Sequence, residues 1–531
     1  MTNNKGESIL DLVIKNGLII DGNERPRYKA DIGVKDGKIV EIKNNIEVYD
    51  VAEVIDAEGK MVAPGFIDTH THSDVMLLWD RQHASGLYQG ITTEILGQDG
   101  LSYAPLSKRN LEMYSKYLAG LNGRPDIPWD WSSVKEYREK FDKTVAINTA
   151  YQVPHGALRL ETVGMADVPL NGVDMEKAKA LLSQGLEEGA VAFSTGLSYF
   201  PGSYSDTDEL VELCQVVAEH DSVYVTHTRS VFRGEPFDPN MEAIEIAERS
   251  GAKLHFSHFR TTPETAGKVD ELMQDIDDAY QRGIDLTLEL YPYPAGSGYA
   301  VIFLPPWAVE HGYEATLERL ADRSLRKRII EGIQDNLIKC DGHFTHLTKN
   351  RQYIGKNFVE VANERGQSVP DMICDILLEE NLEVGFYTTP PDPETWETMN
   401  RDFLELLSRP YYMVGSDGIP LGENPHPRAF GTFPRLLRFC REYDFSLEKM
   451  INRMTKVPAL RFGLKDRGTI GKGKAADIVI FDFDNVTDTA TYELSRSAPR
   501  GIEYVIVNGR VAVRNEKVTG IFAGEALSRA L

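Results

Sequence analysis

The stretch that decides the fold is APGFIDTHTHSD, residues 63–74. A short apolar run leads into two histidines, His70 and His72, spaced two apart. On an extended strand, side chains at i and i+2 point to one face, so both imidazoles aim the same way. Two nitrogens presented from one side suit a divalent ion such as zinc. Alone, a His-x-His pair is weak evidence; its weight depends on whether other ligands appear at matching places.

Seven further apolar runs follow: GITTEILG (90–97), TVAINTAYQV (144–153), AVAFSTG (190–196), SVYVTH (222–227), AKLHFSH (252–258), IDLTLELY (284–291) and YYMVGSD (411–417). Helical stretches such as MEKAKALLSQGLEEG and DTDELVELCQVVAEH lie between them. This alternation is the signature of parallel βα units, and eight strands are what a (β/α)8 TIM-type barrel needs. No GxGxxG follows the first strand to support a dinucleotide-binding alternative. The strand ends then supply the missing weight. His227, His258 and Asp417 close three of these runs, on the face where barrel enzymes place their active sites.

Outside the barrel pattern, both chain ends read as short strands joined by NG, DG and EGK turns: DLVIKNGLII and ADIGVKDGKIVEI at one end, ADIVIFDFD and IEYVIVNGRVAV at the other. The expected organisation is one small sheet domain assembled from both termini, residues 1–62 plus 467–531, and a barrel from 63–466. About a hundred residues separate LELY from YYMV, which predicts an insertion at about 300–400 near the site.

Composition narrows the function. The 531 residues are 42% apolar and 26% charged, as in ordinary globular proteins, and the net charge of −23 opposes nucleic acid or an anionic membrane as a partner. Cys214, Cys340, Cys374 and Cys440 lie far apart with no CxxC pair, which points to a reducing compartment. The amino terminus, MTNNKGESILDLVIKNG, has no apolar leader core, so a cytoplasmic protein with a small-molecule substrate is expected.

With these motifs in hand, the chain resembles the amidohydrolase superfamily and, within it, the D-aminoacylase (N-acyl-D-amino-acid deacylase) family. APGFIDTHTHSD, HGALR, FSTGLSY, YVTHTR, SHFR, YPYPAGS, GSDG, HPRAFGTFPRLL and MTKVPALRFGLKDRGTIGKGKAADIVIFD carry the resemblance over nearly the full length. It implies a metal-dependent barrel with a small β-sandwich built from both termini. His70, His72 and Asp417 match the ligands of one metal position, and His227 with His258 those of a second. Asp417 matches the general acid/base. Arg428, Tyr291 and Ser297 match residues that hold the substrate carboxylate, while Arg260 stands where the family has a lysine. Tyr199 is a candidate lining residue on the acyl side; His155, in VPHGALR, receives no step. The implied cofactor is a divalent metal, zinc foremost, one or two ions per chain.

The chief departure is EILGQDGLS, residues 94–102, where Asp99 stands in place of the family's metal-binding cysteine. Asp-Gly is also a common turn pair. As a ligand, Asp99 would keep the negative charge while exchanging soft sulfur for hard oxygen. The expected reaction is amide hydrolysis of an N-acyl-D-amino acid. The alternatives are a cyclic amide or N-carbamoyl hydrolase on the same site, or a non-catalytic scaffold of the same fold.

Overall fold

A computed structural model describes residues 10–48, 51–229, 238–334 and 339–530. Five strands open the chain: β1 (Leu12–Ile19), β2 (Tyr28–Lys35), β3 (Lys38–Lys43), β4 (Glu53–Asp56) and β5 (Met61–Pro64). β2 turns into β3 through Asp36 and Gly37, both at positive φ, the conformation that a two-residue hairpin demands.

Seven parallel strands then build most of the barrel: β6 (Phe66–Asp68), β7 (Ile91–Leu96), β8 (Asn148–Pro154), β9 (Ala192–Gly196), β10 (Val223–His227), β11 (Lys253–Phe256) and β12 (Leu286–Leu290). A three-stranded antiparallel sheet follows, β13 (Ser297–Tyr299), β14 (His343–His346) and β15 (Gly385–Tyr387), before the eighth barrel strand, β16 (Tyr412–Val414). Each of the eight apolar runs read from the sequence thus contains one barrel strand.

The barrel strands pair in the order β16-β12-β11-β10-β9-β8-β7-β6. The two ends of that series meet through Asp417 N donating to His70 O at 2.7 Å and His72 N to Gly418 O at 2.8 Å. The barrel floor is packed with small and branched side chains, among them Ile67, Ile95, Ala150, Ala192, Val223 and Val225. Such filling leaves no pore, so chemistry is confined to the carboxyl-terminal rim.

The chain returns to its beginning in β17 (Ile478–Phe481), β18 (Ile502–Val507), β19 (Arg510–Arg514) and β20 (Lys517–Val518). β17 pairs antiparallel with β5, so strands from both termini form one nine-stranded sheet with a core of its own that includes Ile14, Ile32, Val62, Ile478, Ile480 and Ile506. A last strand, β21 (Ala526–Leu527), adds to the start of β8.

Candidate active site

The rim holds the sequence-predicted residues in two layers. His70, His72, Asp99, Tyr291, Asp417 and Arg428 are buried, whereas His227, His258, Tyr199, Arg260 and Ser297 are half-buried. His70 and His72 follow β6, Asp99 follows β7, His227 ends β10, His258 follows β11 and Asp417 follows β16. Asp99, His258 and Asp417 all adopt left-handed backbone, at φ 55°, 35° and 50°. Non-glycine residues there are strained, and such strain clusters at functional sites.

Two groups of side chains converge closely enough to share an ion: His70, His72 and Asp417, and His70, Asp99 and His258. His70 Nε2 is 3.6 Å from Asp99 Oδ2 and 3.5 Å from Asp417 Oδ1. His72 Nε2 is 3.5 Å and 3.3 Å from the same two oxygens. His258 Nε2 lies 4.0 Å from Asp99 Oδ2 and 2.8 Å from His227 Nδ1.

The donor set fits a divalent ion. Glu289 accepts from His70 Nδ1, which leaves the Nε2 lone pair facing two carboxylates. That arrangement is repulsive until a cation lies between them. Neither His70 Nε2 nor Asp99 Oδ1, both buried, has a hydrogen-bond partner among the described residues. The same electrostatics shift the ionisations. Burial opposes charging His70, yet Asp99, Glu289 and Asp417 outweigh it and raise its pKa well above the ordinary value, so that without a metal ion a proton takes the Nε2 position between the carboxylates. Burial would raise Asp417, but Arg428 and His70 hold it well below the carboxylate range. Burial, reinforced by the charge on His227, pushes His258 down to about 3.

Beside this centre stands a cationic pocket. Arg260 and Arg428 each place a guanidinium carbon 4.4 Å from the centre of the Tyr291 ring, and Arg260 Nη2 donates to the Tyr291 hydroxyl at 2.8 Å. Arg428 Nη1 lies 2.9 Å from Asp417 Oδ2, and its Nη2 donates to Ser297 O at 3.2 Å. The Ser297 hydroxyl donates to Phe386 O at 2.8 Å. The Tyr199 ring lies tilted against the His227 ring, with centres 4.6 Å apart.

His155 lies apart from this gathering. Its ring is fully buried and bonds Glu209 at 2.8 Å, and the same carboxylate takes two hydrogen bonds from Arg159.

Sequence reasoning did not single out Glu289 or Asp68. Glu289 receives His70 Nδ1 on Oε1 and the Thr69 hydroxyl on Oε2, and Oε2 also lies 3.3 Å from His255 Nε2. Asp68 accepts from the backbone N–H of His70 at 3.2 Å and of Ser416 at 2.8 Å, tying the first strand end to the eighth. Burial, reinforced by the charge on Glu94, lifts the Asp68 carboxyl to about 8. The available signal was an acid inside an apolar parallel strand, in LTLEL and GFID, where burial is costly without a partner.

Comparison with known proteins places this geometry in context. Residues 53–513 match the profile of the amidohydrolase family, and residues 1–61 match that of the urease alpha-subunit N-terminal domain. The D-aminoacylase of Alcaligenes xylosoxydans xylosoxydans is 31% identical over 98% of this chain and 98% of its own. The N-acyl-D-aspartate deacylase of the same organism is 32% identical over 98% and 95%. Among solved structures, an N-acyl-D-glutamate deacylase from Bordetella bronchiseptica, complexed with zinc and a phosphonate inhibitor, superposes with a TM-score of 0.81. That match has 29% identity and covers 98% of this chain and 100% of the other.

Proposed function

The chain belongs to the amidohydrolase family, and from that premise we propose that its barrel rim hydrolyses N-acyl-D-amino acids to a carboxylic acid and a D-amino acid. The observation that carries this reading is the position of Asp417. One of its oxygens faces His70 and His72, and the other faces Arg428, so a single carboxylate joins the candidate metal ligands to the cationic pocket. The D configuration is supported by the activities named for the relatives.

His70, His72, Asp99, His227, His258 and Asp417 would hold one or two divalent ions, with zinc suited to the nitrogen and oxygen donors. When bound, such an ion supplies Lewis acidity to the acyl carbonyl and makes water acidic enough to ionise near neutral pH. The protein's own groups do the rest. Arg428, Arg260 and Tyr291, with Ser297 beside them, hold the substrate carboxylate and so fix the amide over the rim. Arg260 brings a planar fork to this task, where lysine would bring a point charge. Tyr199 lines the acyl side against His227. Asp417 takes a proton from the attacking water and delivers it to the departing amine nitrogen.

The same reading divides the chain into a β-sandwich domain (1–62 plus 467–531) and a barrel domain (63–466). It places the protein in the cytoplasm with a small molecule as ligand. The four cysteines are free, and no helix among the described residues is long and apolar enough to cross a membrane. A chiral panel of N-acetyl and N-formyl amino acids, run alongside cyclic amides with metal content measured on the same sample, tests the proposal. Hydrolysis of D-substrates by metal-loaded protein is expected; cleavage confined to L-substrates or to cyclic amides would refute it.

A further inference from the structure

Arg428 is reached from Asp417 through residues 419–427, which lie outside any strand or helix. A second segment runs antiparallel along them: residues 492–496, from the connection between β17 and β18 of the terminal sheet. Arg496 donates to the carbonyls of Pro420 at 2.7 Å and Gly422 at 2.9 Å. Ser495 Oγ donates to Asn424 Oδ1 at 3.0 Å, and Tyr492 meets His426 at 3.1 Å. Every second residue from 420 to 426 is held in this way, and the next in that series is Arg428. Just before this strap, Asp488 pairs with Arg435 at 3.1 Å and Arg438 at 2.9 Å, both on the helix Arg428–Glu442.

His426 is where the strap meets the pocket. Its Nδ1 accepts the backbone N–H of Arg428 at 3.1 Å, so the proton of the neutral ring sits on Nε2 and is donated to the Tyr492 oxygen. The ring is fully buried and lies edge-on to Tyr293 at 5.4 Å and Tyr387 at 6.0 Å. Both neighbours adjoin the pocket as well. Tyr293 is two residues beyond Tyr291, and Tyr387 is the register partner of Ser297 in the β13–β15 pair.

We propose that Tyr492, delivered by the terminal sheet, is a positioning residue for the substrate carboxylate: through His426 it fixes the backbone at Arg428 and hence the aim of the guanidinium. This inference rests on the reading of Arg428, Tyr291 and Arg260 as the carboxylate-holding set. Without the Tyr492 oxygen, His426 Nε2–H loses its partner, and the nearby Ala295 carbonyl is left to draw the ring away from Arg428 N. Displacement of a positioning group by about 1 Å is enough to weaken a reaction severely.

The test compares wild type, Tyr492→Phe and Arg496→Ala as full-length, metal-loaded enzymes. Two substrates are used: an N-acetyl-D-amino acid and the N-acetyl amine with the same side chain but no carboxylate. Tyr492→Phe is expected to raise KM for the acid by about tenfold, the effect of one lost hydrogen bond, with kcat and metal content unchanged. Arg496→Ala should move KM in the same direction, and neither change should affect the carboxylate-free amide. Wild-type KM in both variants overturns the proposal, as does a parallel fall in kcat and metal content, which marks a general packing role. A wild type that shows no preference for the acid overturns the carboxylate reading itself. A preference that survives both substitutions removes Tyr492 alone.

Discussion

At the scale of single residues, the site is a set of charges whose positions can be tested one at a time. Asp417→Asn keeps the shape of the side chain but cannot shuttle a proton, so kcat should fall by roughly 100- to 10,000-fold. A loss below tenfold, measured with metal content held equal, would assign proton transfer to another group. Glu289→Gln should weaken metal binding by about 10- to 100-fold, because its carboxylate orients His70 and polarises the ring. Competition with a chelator, read by metal analysis, measures this without reference to turnover. The two residues also mark how far the sequence could be read. Asp417 was visible because a strand end in a known order gave it a neighbourhood. Glu289 was not, because its partners, His70 and Thr69, lie more than 200 positions earlier and only barrel closure brings them together. His426 and Tyr492 escaped notice for the same reason, being joined only by the packing of the terminal sheet on the rim.

Among the elements, the eight barrel strands were legible because burial on both faces forces near-continuous apolar runs, which few other structures require. The β13–β15 sheet was not, since its strands are three or four residues long and its register is set by tertiary contacts. One contact between elements has a sharp consequence. A Cβ added at Gly196, at the end of β9, would lie 2.1 Å from the Asp99 carbonyl oxygen. Gly196→Ala must therefore displace the turn that carries Asp99, and both metal content and the thermal midpoint should drop. Retention of full metal content would show that Asp99 does not contribute to ion binding. The helix Thr207–Glu219 supplies a second test through Glu209. Burial would raise this carboxyl, but His155 and Arg159 outweigh it and lower it to about 2. The group therefore stabilises the fold fully above its ordinary value of 4.5, and that contribution is lost as pH falls towards 2. The amount at stake is on the order of 3 kcal/mol. Glu209→Gln should lower stability at neutral pH, by leaving Arg159 buried without its partner, and should flatten the decline between pH 4.5 and 2 in unfolding experiments.

For the whole molecule, the pairing of β5 with β17 means that neither terminus completes its sheet alone. A chain ending at residue 470 would leave the β5 edge unpaired and the core around Ile14, Ile32 and Val62 uncovered. It should be recovered as aggregate, or as a soluble species without a cooperative melt; a cooperative transition near the full-length midpoint would show that the barrel needs no such cover. The left-handed turns at Asp99, His258 and Asp417 have a different consequence at this scale. Each is a place where glycine would relax the backbone, by about 1–2 kcal/mol for a residue such as histidine, and erase a candidate ligand in the same step. Screening variants of this protein for heat resistance alone would therefore reward the loss of its chemistry. Durability and turnover pull in opposite directions at these three positions, so any such screen needs hydrolysis as a second criterion.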